Sequence, residues 1–184
     1  MDDRLTKAEW IACGLDTLSR EGASALKVGP LAVKLNVSRG SFYWHFKDIA
    51  AYRANLLARW LEQSTDQVIE TLEGEPDAPD RLKRLMRRAF NRQSPPERAI
   101  RAWALQDGEV ASAVASVDAR RVGYIGVLLR SAGVSPAKAA SRAAFVYWAY
   151  LGQAAIVGPS PATLTSAALD DISQLIESRT GVRD

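Results

Sequence analysis

The chain of 184 residues has one cysteine, Cys13, and one histidine, His45. A lone cysteine excludes an internal disulfide and gives no sign of an oxidising compartment, so Cys13 reads as a small apolar filler on a helix. With one histidine and one cysteine on different helices there is no metal-spaced cluster, and the chain has neither a glycine-rich phosphate loop nor a Gly-x-Ser-x-Gly elbow. No catalytic residue, metal or cofactor is assigned on these grounds, which leaves an enzyme only a site built from carboxylates alone. Long hydrophobic runs are also missing. A spanning helix needs about 18 apolar residues, and the longest weakly polar stretch, 143–157, is rich in alanine and interrupted by Gln153. The opening MDDRLTKAEW carries acids where a secretory leader needs basic residues. The expectation is a cytoplasmic protein with no membrane partner.

A fourth absence is local. From Gly22 to Lys47 there is no Asp or Glu, while Lys27, Lys34, Arg39 and Lys47 fall in that interval. Residues 48–106 carry ten basic against nine acidic side chains, and residues 107–184 seven against seven. The net charge of +3 is unremarkable for a soluble protein. Its surplus, however, is concentrated in one short segment.

Strand-like alternation is lacking too, whereas apolar residues recur with helical spacing throughout, so the fold class expected is all-α with about nine helices. Thr6-Lys7-Ala8-Glu9 is a capping box that opens the first helix; Ala8, Ile11, Leu15 and Leu18 form its apolar stripe, and Gly22 ends it. A second helix spans 28–35, with Pro30 in its first turn, where a missing N–H costs nothing. Asn36 tolerates the left-handed backbone of a tight turn. Ser38 is the expected N-cap of a third helix, 39–46, and Asp48 that of a fourth running to about Glu73, some 39 Å at about 1.5 Å per residue. Further helices are expected over 80–92, 97–106, 107–132, 136–157 and 164–178, with Ser94-Pro95-Pro96 as a hard stop and Ser135-Pro136 as a start.

Two short helices joined by a tight turn within LKVGPLAVKLNVSRGSFYWHF, residues 26–46, fit a helix-turn-helix, whose second helix lies in the DNA major groove. Arg39, Gly40 and Ser41 then open the recognition helix, where an arginine can bond a guanine at two atoms and a glycine lets the backbone approach closely. The DNA-contacting set is Lys27, Gly29, Ser38, Arg39, Gly40, Ser41, Tyr43, Trp44, His45 and Lys47. Lys47 suits phosphates, Tyr43 and His45 are open between phosphate contact and local packing, Phe42 and Phe46 read as core, and Lys34 reads as solvated.

The order of a capped first helix followed by Leu31-Ala32, Leu35, Val37-Ser38, Gly40, Tyr43 and His45-Phe46 resembles the DNA-binding domain of TetR-type transcription regulators. The match covers about the first fifty residues. The family usually has Thr or Ser in place of Lys27, Gly in place of Asn36 and Lys in place of Ile49. The resemblance implies a helix-turn-helix domain at 1–47 and a helical ligand-binding and dimerisation domain at 48–184. Its implied partners are double-stranded operator DNA of palindromic sequence, a second copy of the chain and a small-molecule effector, and its usual mode is repression, placing the protein at the nucleoid when bound. On that pattern Trp60, Phe90, Trp103, Tyr124, Tyr147 and Trp148 are candidates to line an effector pocket. Ala144, Gly152, Ala155, Leu164, Ala168, Ile172 and Leu175 are candidates for the dimer interface. Lys83, Arg84, Arg87 and Arg88 share one helical face and read as solvated. The alternative to a regulator is a helical interaction module that does not bind DNA.

Overall fold

The computed structural model describes residues 5–74, 80–91, 95–156 and 164–178, and all regular structure among them is helical. The helices are α1 (Lys7–Glu21), α2 (Val28–Lys34), α3 (Arg39–Tyr43), α4 (Ile49–Leu61), α5 (Gln67–Gly74), α6 (Arg81–Asn91), α7 (Pro95–Ala104), α8 (Gly108–Ser131), α9 (Pro136–Ala155) and α10 (Ser166–Glu177). A short 3-10 turn, Ala23–Ala25, precedes α2. A π turn, Glu62–Asp66, joins α4 to α5. Counting α4, the π turn and α5 as one helical stretch gives nine helices among the described residues, as the apolar periodicity predicts. The single uninterrupted fourth helix of the sequence reading is corrected: it changes hydrogen-bond register at 62–66. A π turn inserts a residue without ending the helix, so the local sequence still reads as helical.

Local chemistry accounts for the boundaries. The Glu9 carboxylate accepts from the Thr6 backbone N–H at 2.6 Å while the Thr6 hydroxyl accepts from the Glu9 N–H at 3.3 Å, completing the capping box. Gly22 ends α1 at φ +82°, and Asn36 turns the chain after α2 at φ +55°. The Asp48 carboxylate accepts from the Ala51 N–H at 2.7 Å, and Asp107 caps α8 through the N–H groups of Glu109 and Val110. Ser38 and Ser135 occupy N-cap positions with extended backbone, but neither hydroxyl makes the capping bond expected of it. The Pro95-Pro96 pair opens α7 where a stop was expected, since prolines in a first turn remove only N–H groups that lack helical partners.

The chain divides into two compact units, each with its own core. The first takes in residues up to 64 together with 95–115. Its α1 packs on α2, α4 and α7, and α2 packs on α3. Trp10, Leu18, Leu26, Leu31, Phe42, Tyr52 and Leu56 are fully buried there. On α7, the buried Glu97 accepts hydrogen bonds from Trp60 Nε1 of α4 at 3.3 Å and from Arg101 Nε at 2.9 Å. The second unit takes in 65–94 and 116 onward. There α6 packs on α9 and α10, around Leu82, Met86, Leu129, Ala143, Tyr147 and Leu169. The basic face of α6 is not simply solvated: Asp170 of α10 pairs with Lys83 at 3.3 Å and, through two hydrogen bonds, with Arg87.

Candidate nucleic-acid interface

The buried side of α3 is one aromatic cluster. Phe42 meets Trp10 edge-on at 5.3 Å between centroids, Tyr52 at 5.4 Å and Phe46 at 5.1 Å. Such rings bury a large area in a domain with little interior and hold α3 against α1 and α4. The opposite side faces solvent. Arg39 and Gly40 are exposed and Ser41 is half-buried at its start, while Tyr43 and Trp44 are 61% and 79% exposed at its end. Ser38, Lys27 and Lys47 are exposed as well, and Gly29 is half-buried. Within the acid-free interval, therefore, Lys27, Arg39, Lys47 and the rings of Tyr43 and Trp44 are all open to solvent. This third helix is shorter than expected, ending at Tyr43, and backbone bonds from His45 and Phe46 to the Phe42 carbonyl carry the chain onward.

Two positions differ from what their residue types promise. His45 Nε2 lies 2.7 Å from the Leu5 carbonyl, so the ring carries its proton on Nε2 and donates it to the chain just before α1. The ring is thus engaged within the chain at Nε2, a contact on the side of local packing of the two uses the sequence left open. Lys34, expected to be solvated, donates to the Thr17 hydroxyl at 3.1 Å and pairs with Glu21, tying α2 to α1. Neither interaction is legible in sequence, because each joins residues far apart in the chain.

The glycines are informative. A Cβ on Gly40 would meet, besides its own neighbours, only the Ser38 hydroxyl at 3.5 Å, an ordinary contact. Nothing inside the chain demands glycine there, although glycine in a helix costs about 1 kcal/mol relative to alanine. A Cβ on Gly29 would meet the Arg39 guanidinium at 3.0–3.3 Å.

The aromatics expected around an effector are divided between the units. Trp60 and Trp103 are buried in the first, where Trp103 Nε1 donates to Asp107 at 3.1 Å. In the second, Tyr147 is buried and donates to Asp118 at 2.5 Å, and Phe90 meets Tyr150 edge-on. Tyr124 has its hydroxyl buried without a hydrogen-bond partner. Burial pushes that hydroxyl above its ordinary pKa, with Glu73 adding to the shift and Arg81 opposing it. Trp148 does not fit the expected pocket lining. It is 68% exposed on the outer face of α9, one turn from Phe145 at 65%. A groove of about 580 Å³ in the first unit runs along Ala8, Ala12, Leu15 and Asp16 of α1 to Arg59, Gln63 and Pro96, and none of the expected aromatics lines it.

Among the proposed dimer residues, Gly152, Ala155, Leu164 and Leu175 are exposed, while Ala144, Ala168 and Ile172 are half-buried. Phe145, which the sequence did not single out, is exposed as well; α9 carries apolar residues around much of its circumference, so periodicity alone does not pick out its exposed face. Among the described residues no group of three or more His, Cys, Asp or Glu is placed to hold a metal ion, and no helix is long and apolar enough to cross a membrane.

No protein-family model matches the chain, and no curated protein matches it. Among solved structures, a candidate transcriptional regulator from Streptomyces coelicolor A3(2) is similar, with 18% sequence identity, a TM-score of 0.65, and coverage of 94% of this chain and 98% of that one. The all-helical fold built here around an exposed α3 is thus one that this chain shares, over nearly its whole length, with that protein.

Proposed function

We propose that the chain is a TetR-type transcription regulator that binds a palindromic operator as a homodimer, with residues 1–47 as the DNA-binding domain and 48–184 as the effector-binding and dimerisation domain. The observation that carries this reading is the solvent-facing side of α3. Arg39, Gly40, Tyr43, Trp44, Lys27 and Lys47 are all exposed within a sequence interval that has no Asp or Glu, and α3 is backed by the rings of Phe42, Phe46, Trp10 and Tyr52. Lysines and Tyr43 hold phosphates and set register, while Arg39 reads a base edge in the major groove. Gly40, which no internal contact requires, lets the helix backbone approach the duplex.

The second copy is proposed to pack on the outer faces of α9 and α10, where Phe145, Trp148 and Leu175 are exposed. Large apolar groups clustered on a surface mark association sites. A twofold dimer sets its two recognition helices into successive major grooves about 34 Å apart. The small-molecule effector is proposed to bind in the second unit beside Phe90, Tyr124 and Tyr147, where the orphaned Tyr124 hydroxyl offers it a hydrogen bond. Its binding weakens operator affinity by shifting the helical stretch through the π turn at 62–66. The protein acts as a repressor in the cytoplasm, at the nucleoid when bound.

Selection from a pool of random duplex DNA with the purified full chain tests this reading. Recovery of an inverted repeat with half-sites one helical turn apart, or a multiple of it, supports a dimeric regulator. Recovery of no enriched sequence rejects it in favour of an interaction module.

A further inference from the structure

The guanidinium of Arg39 lies against the backbone of Gly29, one helix away, and the three atoms nearest to a Cβ at position 29 are all guanidinium atoms: one terminal nitrogen at 3.0 Å, and Cζ and Nε at 3.3 Å. Contacts that short are tighter than most real Cβ contacts, so a side chain at 29 makes the guanidinium give way by a few tenths of an ångström and changes how it rests. Displacing it is cheap for the fold, because the group that yields is the far end of a long, exposed side chain rather than backbone or core. Gly29 itself adopts no left-handed conformation: among the described glycines only Gly22 and Gly133 have positive φ. Neither backbone geometry nor core packing explains glycine in the first turn of α2. Among the described residues, the group nearest to a side chain at 29 is the Arg39 guanidinium.

We infer that Gly29 is a positioning residue for specificity: by leaving a flat, Cβ-free patch on α2, it holds the Arg39 guanidinium in the orientation from which it reads its base. An arginine reads guanine through two parallel hydrogen bonds, a geometry that tolerates little rotation of the guanidinium plane. An unrestrained arginine still carries its charge to the duplex but loses orientation, so the effect falls on sequence preference more than on affinity. This inference rests on the proposed DNA-binding role of α3 and adds a residue that acts through Arg39 without reading a base itself.

Gly29→Ala, Arg39→Ala and the double variant, each compared with the unaltered chain, test it by selection from a random duplex pool and by nuclear magnetic resonance of the DNA-free proteins. Alanine is the better helix former, so Gly29→Ala keeps or raises Tm and the comparison is made on folded protein. The expected result is that Gly29→Ala loses discrimination at one base pair per half-site by about tenfold or more, that Arg39→Ala loses it at the same base pair, and that the double variant matches Arg39→Ala alone. In the absence of DNA, the unaltered chain shows contacts between the Gly29 Hα protons and the Arg39 side chain, and Gly29→Ala shifts the Arg39 Nε–H resonance. Unchanged base preference in Gly29→Ala, a loss at a different base pair, or additive losses in the double variant overturn the inference. If the unaltered chain enriches no sequence at all, it is the DNA-binding reading that has failed, and absence of the Gly29–Arg39 contacts in free protein then removes the positioning claim separately.

Discussion

The hydroxyl of Tyr52 on α4 donates a hydrogen bond to the backbone carbonyl of Trp10 on α1, at 2.8 Å in a fully buried setting. The same ring packs edge-on against Phe42 and Phe46, so a single side chain ties α1, α3 and α4 together behind the exposed face of α3. Gly14 makes room for it, since a Cβ there would lie 2.0 Å from the Tyr52 hydroxyl oxygen and 2.8 Å from Leu56. Tyr52→Phe should cost about 1 kcal/mol, the net worth of a buried hydrogen bond. Gly14→Ala should cost about 3 kcal/mol, because overpacking forces the rings to move. Urea denaturation followed by circular dichroism measures both, and equal midpoints for the two variants would contradict the order.

Burial, with a smaller contribution from Cys13, holds the Tyr52 phenol above its ordinary pKa of about 10. The folded state therefore keeps its proton at a pH where the unfolded chain has begun to lose it. Stability from this group is fully present below about pH 10 and is lost as pH rises toward the folded value. Denaturation midpoints between pH 9 and 11 should fall more steeply for the unaltered protein than for Tyr52→Phe.

Glu97 is a buried carboxylate held between Trp60 and Arg101. Removing it leaves Arg101 without this carboxylate partner, so Glu97→Ala should lower stability by about 3 kcal/mol. Glu97→Gln keeps an acceptor and should lose less, as thermal unfolding of the two variants will show.

On α9, Phe145 and Trp148 lie one turn apart on the outer face. A charge placed there opposes burial against a second copy without entering the core, so Trp148→Glu should leave the helical circular dichroism intact and shift the protein to monomer in sedimentation velocity. A dimer that persists in Trp148→Glu would contradict the proposed placement of the second copy on this face.

Among the described residues a Cβ on Gly40 would make only an ordinary contact with the Ser38 hydroxyl, so Gly40→Ala should stabilise the fold by about 1 kcal/mol and, on the proposed function, weaken DNA binding. Paired measurement of Tm and DNA affinity checks the opposed signs, and loss of both stability and affinity would assign Gly40 a structural role.

The termini and turns were legible because their chemistry is local. Thr6 and Glu9 cap α1 from three residues apart, Asn36 accepts a left-handed backbone, and Asp48 caps α4 from within its own turn. What escaped reading is decided between residues distant in the chain. His45 meets Leu5, Lys34 meets Glu21 and Asp170 meets Arg87 across spacings that no pattern encodes. The π turn escaped for another reason: Glu62 to Asp66 are ordinary helical residues, and the register change coincides with Thr65 being buried, where its hydroxyl accepts from Arg121 Nε at 2.9 Å. The outward face of α3 was foreseeable from Phe42 and Phe46, whose spacing fixes the buried side. The resting place of Arg39 on Gly29 was not.

Salt dependence of DNA binding addresses the central claim most directly, with anisotropy of a labelled duplex recovered by selection recorded from about 50 to 200 mM salt for the unaltered protein, Lys47→Ala and Lys27→Ala. The log of the association constant should fall linearly with log salt concentration, and each lysine variant should reduce the steepness by about one unit. Binding that is absent at low salt, or slopes that neither variant alters, would contradict the assignment of this surface to DNA.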